Sequence, residues 1–169
     1  IVVGTGQPTG SVLIGTDGND VLRGMAGWDL INAGAGDDIV RAGNGRDIIT
    51  GGLGKDYLQG DFGFNTYTSE RDGYVDTIVV KSDHYLVNWL MGKAQNNSDG
   101  SKCDVIEGLD SNDRIIIQGV ATADIRIQAG VSMHGLTGVG IYAKDSLEAL
   151  YTGGDLGADL IHHMVSGEL

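Results

Sequence analysis

The chain has 169 residues, 29 of them glycine and one proline, with a formal charge of −12 at pH 7 and a pI near 4.4. That length suits one or two small domains, and the acidity speaks against nucleic acid and anionic membrane surfaces, which call for basic patches. No apolar run approaches the roughly 20 residues of a membrane span, and a single cysteine, Cys103, rules out an internal disulfide framework.

In chain order, the segment 6–14 (GQPTGSVLI) sets Leu13 where later blocks carry a large apolar residue, but has Ser11 where they carry aspartate. It is expected to be a degenerate capping coil without metal. From Gly15 to Tyr67 six blocks follow one template: GTDGNDVLR, GMAGWDLIN, AGAGDDIVR, AGNGRDIIT, GGLGKDYLQ and GDFGFNTY. The sixth position reads Asp20, Asp29, Asp38, Asp47, Asp56 and Asn65, the eighth Leu22, Ile31, Val40, Ile49, Leu58 and Tyr67, and the fourth is always glycine. A disordered acidic linker has no need of a large apolar residue in strict phase.

Positions one to six, glycine-rich and closed by a carboxylate, suit a tight turn with positive φ. Positions seven to nine suit a three-residue strand whose middle side chain faces one way and its neighbours the other. A coil then closes every two blocks. Asp20, Asp38 and Asp56 stack along one edge, and Asp29, Asp47 and Asn65 along the other. Carboxylates about 5 Å apart repel by roughly 3 kcal/mol at an effective dielectric near 20, and a core one residue deep offers little to oppose it. A hard divalent cation with all-oxygen coordination reverses the sign, which selects calcium and couples folding to its binding.

The template is G-G-x-G-x-D-x-U-x, with U a large apolar residue, and residues 15 to about 80 resemble the RTX β-roll of secreted repeat-in-toxin proteins, serralysin-type proteases, lipases and alginate epimerases. The resemblance implies an all-β fold: a right-handed parallel β-roll of nonapeptide repeats followed by a β-rich C-terminal cap with a terminal helix. It also implies that each calcium sits between a turn and the turn two blocks later. One ligand set would be Thr16, Gly18, Asp20, Ala33, Ala35 and Asp38, and a second Met25, Gly27, Asp29, Ala42, Asn44 and Asp47. A third would be Gly34, Gly36, Asp38, Gly51, Leu53 and Asp56. The fourth, with Gly43, Gly45, Asp47, Gly60, Phe62 and the neutral Asn65, is expected to bind more weakly. About three to four ions or more follow.

Past Thr68 the period breaks, which divides the chain into a roll (1–68) and a β-rich cap and secretion region (69–169). Strands are predicted over Thr77–Lys81, 84–91, Asp104–Glu107, Arg114–Gln118, 125–128, 139–143 and 147–151, with a polar loop at 94–102. The first of these, extended by 104–119, is expected to cover the end of the roll at Leu58, Tyr67, Phe62 and Phe64. Residues 104–119 (DVIEGLDSNDRIIIQG) resemble, in part, the element that closes the roll in serralysins and epimerase R-modules, with Leu109 for the expected Phe. Asp155 is predicted to cap a helix with Leu156, Leu160, Ile161 and Met164 on one face and His162 and His163 in its last turn. Those histidines are read as surface side chains. Asp76, Asp104, Glu107, Asp110 and Asp113 are read as solvated loop carboxylates, a further calcium site below the roll being the lesser alternative. Cys103 is read as a structural thiol.

No H-E-x-x-H, G-x-S-x-G or Walker motif occurs. The chain is expected to be a non-enzymatic piece of a longer secreted, extracellular protein, any catalytic domain lying upstream of Ile1. Two functions stay open. One is a calcium-dependent folding and export module whose partner is type I secretion machinery. The other is a carbohydrate-binding module that holds extracellular polysaccharide through a position-nine stripe of Arg23, Arg41 and Gln59, with Arg46 and Lys55 in the turns. Trp28 either stacks on a sugar or covers a neighbour.

Overall fold

The computed structural model describes residues 1–5, 9–82, 103–133 and 135–169. The run expected at 84–91 and the loop at 94–102 lie outside them.

Each block yields a strand because its large apolar eighth residue must leave water, which the alternation of a short strand allows. The strands are β1 (Val2–Val3), β2 (Val12–Ile14), β3 (Val21–Ala26), β4 (Leu30–Ala35), β5 (Ile39–Asn44), β6 (Ile48–Leu53), β7 (Tyr57–Gln59) and β8 (Thr66–Thr68). Leu22, Ile31, Val40, Ile49, Leu58 and Tyr67 are fully buried, each contributing about 1.5–3 kcal/mol if aliphatic. Leu22 stands opposite Val40, and Val40 opposite Leu58. On the other side Ile31 stands opposite Ile49, and Ile49 opposite Tyr67. From β2 to β8 every pairing is parallel with an offset of 18 residues, so the coil closes every two blocks, as the period implies, while β1 pairs with β3 at an offset of 20.

The strands β3 to β6 have six residues rather than three. Pairing breaks at position one and resumes: Arg23 pairs with Arg41, then Met25 with Gly43 and Ala26 with Asn44. The first three positions of blocks two to five are therefore part of the ladder, because a positive φ at position two (Met25, Gly34, Gly43, Gly52) turns the chain without ending the pairing.

Both sheets continue past residue 68. The strands β9 (Thr77–Lys81), β10 (Asp104–Glu107) and β11 (Arg114–Gln118) are followed by β12 (Ile125–Met133), β13 (Leu136–Ala143), β14 (Ser146–Tyr151) and β15 (Val165–Glu168). One sheet runs β1-β3-β5-β7-β9-β11-β15 and the other β12-β13-β14-β10-β8-β6-β4-β2. Leu58 is covered by Ile78, and Tyr67 by Ile106, so the expected docking of both segments on the roll's end is what the structure has. One apolar cluster runs from Leu13 to Val165. The change at residue 68 is one of sequence period, not of sheet continuity.

The last three strands of the second sheet form an antiparallel meander, β12-β13-β14, longer than the predicted 125–128, 139–143 and 147–151. Hairpin pairing of Val131–Met133 with Leu136–Gly138, beyond a register shift after Gln128, carries these strands past their apolar cores. The helix α1 (Ala158–Met164) starts later than predicted, with Gly157 as N-cap and no side-chain capping bond. Asp155 instead accepts hydrogen bonds from Tyr151 Oη and from Arg71 Nη2, the latter at 2.8 Å. Ile161 and Met164 are buried and Leu156 packs beside them, but Leu160 is exposed, so the apolar face is narrower than expected. His162 and His163 do sit in the last turn, exposed.

Candidate metal centre

The turns stack on two edges, and on each edge the aspartates form a ladder. Asp38 Oδ1 accepts the backbone N–H of Asp20 at 2.7 Å, and Asp56 Oδ1 that of Asp38 at 2.9 Å. On the opposite edge Asp29 Oδ1 accepts from Ser11, Asp47 Oδ1 from Asp29 at 2.8 Å, and Asn65 Oδ1 from Asp47 at 3.1 Å. Thus one oxygen of each carboxylate is spent on holding the preceding coil.

The second oxygen is the informative one. The Oδ2 atoms of Asp29, Asp38, Asp47 and Asp56, and Nδ2 of Asn65, are buried with no hydrogen-bond partner. Buried polar atoms are almost always paired, and an unpaired charged oxygen costs more than a neutral one. Burial accordingly pushes the Asp47 carboxyl up to about 6, against the Asp29 N–H bond and with the charges of Asp29 and Asp61. It pushes Asp56 up to about 7, against the Asp38 N–H bond and with the charges of Asp76, Asp38 and Asp72. Asp38 is raised as well, chiefly by burial. Four such oxygens at consecutive turns fit a hard cation.

The remaining donors are main-chain. Among the described residues no three His, Cys, Asp or Glu side chains converge, so a cation between turns would draw on carboxylates in pairs and on turn carbonyls. Those carbonyls also tie coil to coil: Asn44, Leu53 and Phe62 accept the N–H of Gly27, Gly36 and Gly45 at 2.8–3.0 Å, and Thr16 accepts that of Ala35. Positive φ recurs at position two (Met25, Gly34, Gly43, Gly52, Asp61) and at position four (Gly27, Gly36, Gly45, Gly54, Gly63). Position-one residues Ala33, Ala42, Gly51 and Gly60 are buried, while the position-three residues Asn44 and Leu53 are exposed and Ala35 and Phe62 partly so.

The first turn departs from the expected conformation. Neither Thr16 nor Gly18 has positive φ. Asp20 Oδ2 is taken by its own turn, accepting from Thr16 N at 2.7 Å and from Thr16 Oγ1 at 2.8 Å. A hydroxyl at position two can bond a nearby carboxylate where a glycine cannot, and these two bonds hold the Asp20 carboxyl below its ordinary value.

Three carboxylates read as solvated are buried rungs of the same ladders: Asp76, Asp104 and Asp113. Asp76 Oδ1 accepts from Asp56 N, Asp113 Oδ1 from Asp76 N, and Asp104 Oδ1 from Asn65 N. They do not converge below the roll, because Asp76 and Asp113 continue one edge and Asp104 the other. Longer turns hide them, with offsets of 20, 37 and 39 residues in place of 18. The signal was nonetheless present: Asp76-Thr77-Ile78, Asp104-Val105-Ile106 and Asp113-Arg114-Ile115 repeat the D-x-U triplet of positions six to eight. Glu107 and Asp110 are not rungs: Glu107 accepts from Thr152 Oγ1, and Asp110 from the N–H groups of Gly73 and Asn112.

Of the position-nine stripe, Arg23 and Arg41 are exposed and in register, but Gln59 is buried and donates to Asp61, so the stripe is shorter than expected. Arg46 lies over the ring of Phe64 and Lys81 over that of Phe62, while Trp28 is 68% exposed. Cys103 is buried, its thiol donates to Met133 Sδ, and burial pushes it up to about 12, which fits the structural reading. No helix among the described residues is long and apolar enough to cross a membrane.

Compared with known proteins, no curated protein matches the chain. Residues 6–40 and 33–67 each match the family model of the RTX calcium-binding nonapeptide repeat (4 copies). Together with the 18-residue parallel coil and its unpaired carboxylate oxygens, that match makes residues 6–67 an RTX calcium-binding repeat module, whose described residues fold as a parallel β-roll.

Proposed function

We propose that this module is a calcium-dependent folding and export unit of a larger secreted protein, with residues 69–169 as its cap and any catalytic function elsewhere in that protein. The observation that carries the reading is the set of four buried Oδ2 atoms without a protein partner. Calcium, when bound, supplies the positive charge that this column lacks. Asp29, Asp38, Asp47 and Asp56 would hold it, together with turn carbonyls from the ligand positions set out above. The aspartates' Oδ1 bonds orient each carboxylate toward the gap between turns before any ion arrives. In calcium-poor cytosol the roll would stay open and suit passage through type I secretion machinery, and outside the cell it would close. Calorimetric calcium titration, with circular dichroism before and after EGTA, tests this. Heat of binding together with chelator-reversible β-structure is expected. A roll that keeps its spectrum in EGTA and binds no calcium would end the reading.

A carbohydrate-binding role draws on the exposed, in-register Arg23 and Arg41. Two guanidinium groups make a small patch on a chain of charge −12, and a glycan array in calcium buffer separates the two readings.

A further inference from the structure

The same ladder carries two kinds of rung. At Asp29, Asp38, Asp47 and Asp56 the second carboxylate oxygen is buried without a hydrogen-bond partner. At every other rung a protein group stands there. Asp20 has Thr16, through both N–H and hydroxyl. Asp76 Oδ2 accepts from the Ser69 hydroxyl, Asp104 Oδ2 from Tyr67 Oη at 3.2 Å, and Asp113 Oδ2 from Asp110 N at 2.8 Å.

Asn65 belongs with the second kind for a different reason. Its Oδ1 accepts the Asp47 N–H, so rotating the amide would set two donors against each other. That fixes Nδ2, a donor, in the place where the neighbouring aspartates present Oδ2. An N–H there repels a cation and competes with it for the same acceptors.

We propose that this chain confines its cations to two positions, between the Asp29 and Asp47 turns on one edge and between the Asp38 and Asp56 turns on the other, and closes the neighbouring turns with protein donors: Thr16 at the start, and Asn65, Tyr67 and Ser69 at the far end. The proposal rests on the calcium reading above and narrows it from four ligand sets to two. Among the described residues only these two pairs have a buried, unpartnered oxygen on both carboxylates. The Asp20–Asp38 pair is closed on one side by Thr16, and the Asp47–Asn65 pair by the amide.

Native mass spectrometry of the full chain at graded calcium, paired with equilibrium dialysis, counts the ions. Two tightly held ions are expected for the natural sequence. Three are expected for Asn65→Asp, which replaces the blocking donor by an acceptor on an unchanged backbone. A natural chain holding four or more ions, or an Asn65→Asp chain that folds yet still holds two, overturns the proposal. A natural chain holding none overturns the calcium reading instead. Should Asn65→Asp not fold, Asp47→Asn decides. Loss of one ion of two supports confinement, whereas loss of two ions of four restores the wider set.

Discussion

The turn ending at Asp29 and the turn ending at Asp76 are built on one plan. Each aspartate is buried, and each gives Oδ1 to a backbone N–H of the preceding coil. They differ at position one. It is Gly24 in the first, where an added Cβ would press on Asp29 Oδ2, and Ser69 in the second, where the side chain is itself the partner of Asp76 Oδ2. The lesson is that a buried carboxylate ladder does not require calcium as such. It requires something opposite each second oxygen, and the turns from Asp29 to Asp56 leave that to a cation while Asp76, Asp104 and Asp113 have a hydroxyl or an N–H there, from Ser69, Tyr67 and Asp110.

Chelation gives the largest effect that divides the two regions. A site held at a hundredfold over its Kd contributes about 2.7 kcal/mol. Two such sites correspond to a melting temperature roughly 10–20 °C lower in EGTA for a chain of this size. Hydrogen exchange locates the loss. The amides of Asp20, Asp29 and Asp38, which donate to Asp38, Asp47 and Asp56, are expected to lose protection. Those of Asn65 and Asp76, which donate to Asp104 and Asp113, are expected to keep it. Equal loss in both groups would erase the distinction.

Acid separates the regions next. The Asp47 and Asp56 carboxyls lie at about 6 and 7 in the folded chain, above the ordinary value of 3.8. The metal-free fold therefore binds more protons than the unfolded chain between pH 3.8 and 7, and its stability falls as pH rises through that window. In EGTA, melting temperature is expected to climb as pH drops from 8 to 4. With calcium present the same carboxylates must shed their protons to bind, so the bound roll weakens over that range. Asp113, pushed by burial up to about 6, and Asp76, also raised by burial, keep their acid stabilisation in both conditions. Parallel melting curves with and without calcium would contradict the assignment.

Substitutions sharpen the contrast at single rungs. Tyr67 Oη accepts from Gly60 N and donates toward Val79 O and Asp104 Oδ2 within the buried core. Tyr67→Phe strands those groups, at about 1–3 kcal/mol, with calcium or without. Asp38→Asn is expected to destabilise in calcium but to be neutral or mildly stabilising in EGTA, where it removes a buried charge facing Asp20 and Asp56. Thermal melts of both variants in both buffers check the crossing.

Much of this was legible because period forces geometry. An apolar residue every nine positions has one way to be buried, which gives Leu22 opposite Val40 and Ile31 opposite Ile49 without further information. The strand Thr77–Lys81 was legible too, and it pairs with the roll's β7. What escaped was whatever the period does not encode. Asp76, Asp104 and Asp113 keep the D-x-U triplet but sit behind turns of other lengths, and a reading by fixed spacing discards them. The state of the second oxygen escaped too, since Thr16, Ser69 and Tyr67 act across a fold that must exist before they meet their partners. Asp155 was misread because Arg71, 84 residues away, competes for it.

The smallest effect is expected at Gly18, and it tests whether the first turn belongs with the closed rungs. Within the inner turns Met25 and Asp61 show that positive φ alone does not demand glycine, but glycine is needed where an added Cβ would also strike the preceding coil. At Gly43, with φ +104°, a Cβ would overlap the Met25 carbonyl. Gly43→Ala is therefore expected to cost about 1–3 kcal/mol from backbone strain alone, with further loss from the displaced coil. Gly18 occupies the template's invariant fourth position, yet its φ is not positive and an added Cβ would meet only Thr16 Oγ1, at 3.9 Å. The reason is the Thr16–Asp20 closure, which sets this turn by side-chain bonds instead of by left-handed backbone. Gly18→Ala is thus expected to change stability by no more than about 0.5 kcal/mol and to leave the calcium titration unaltered. Loss of an ion in Gly18→Ala would mean that calcium binding pulls this turn into the inner conformation, and that Thr16 yields its place to a cation.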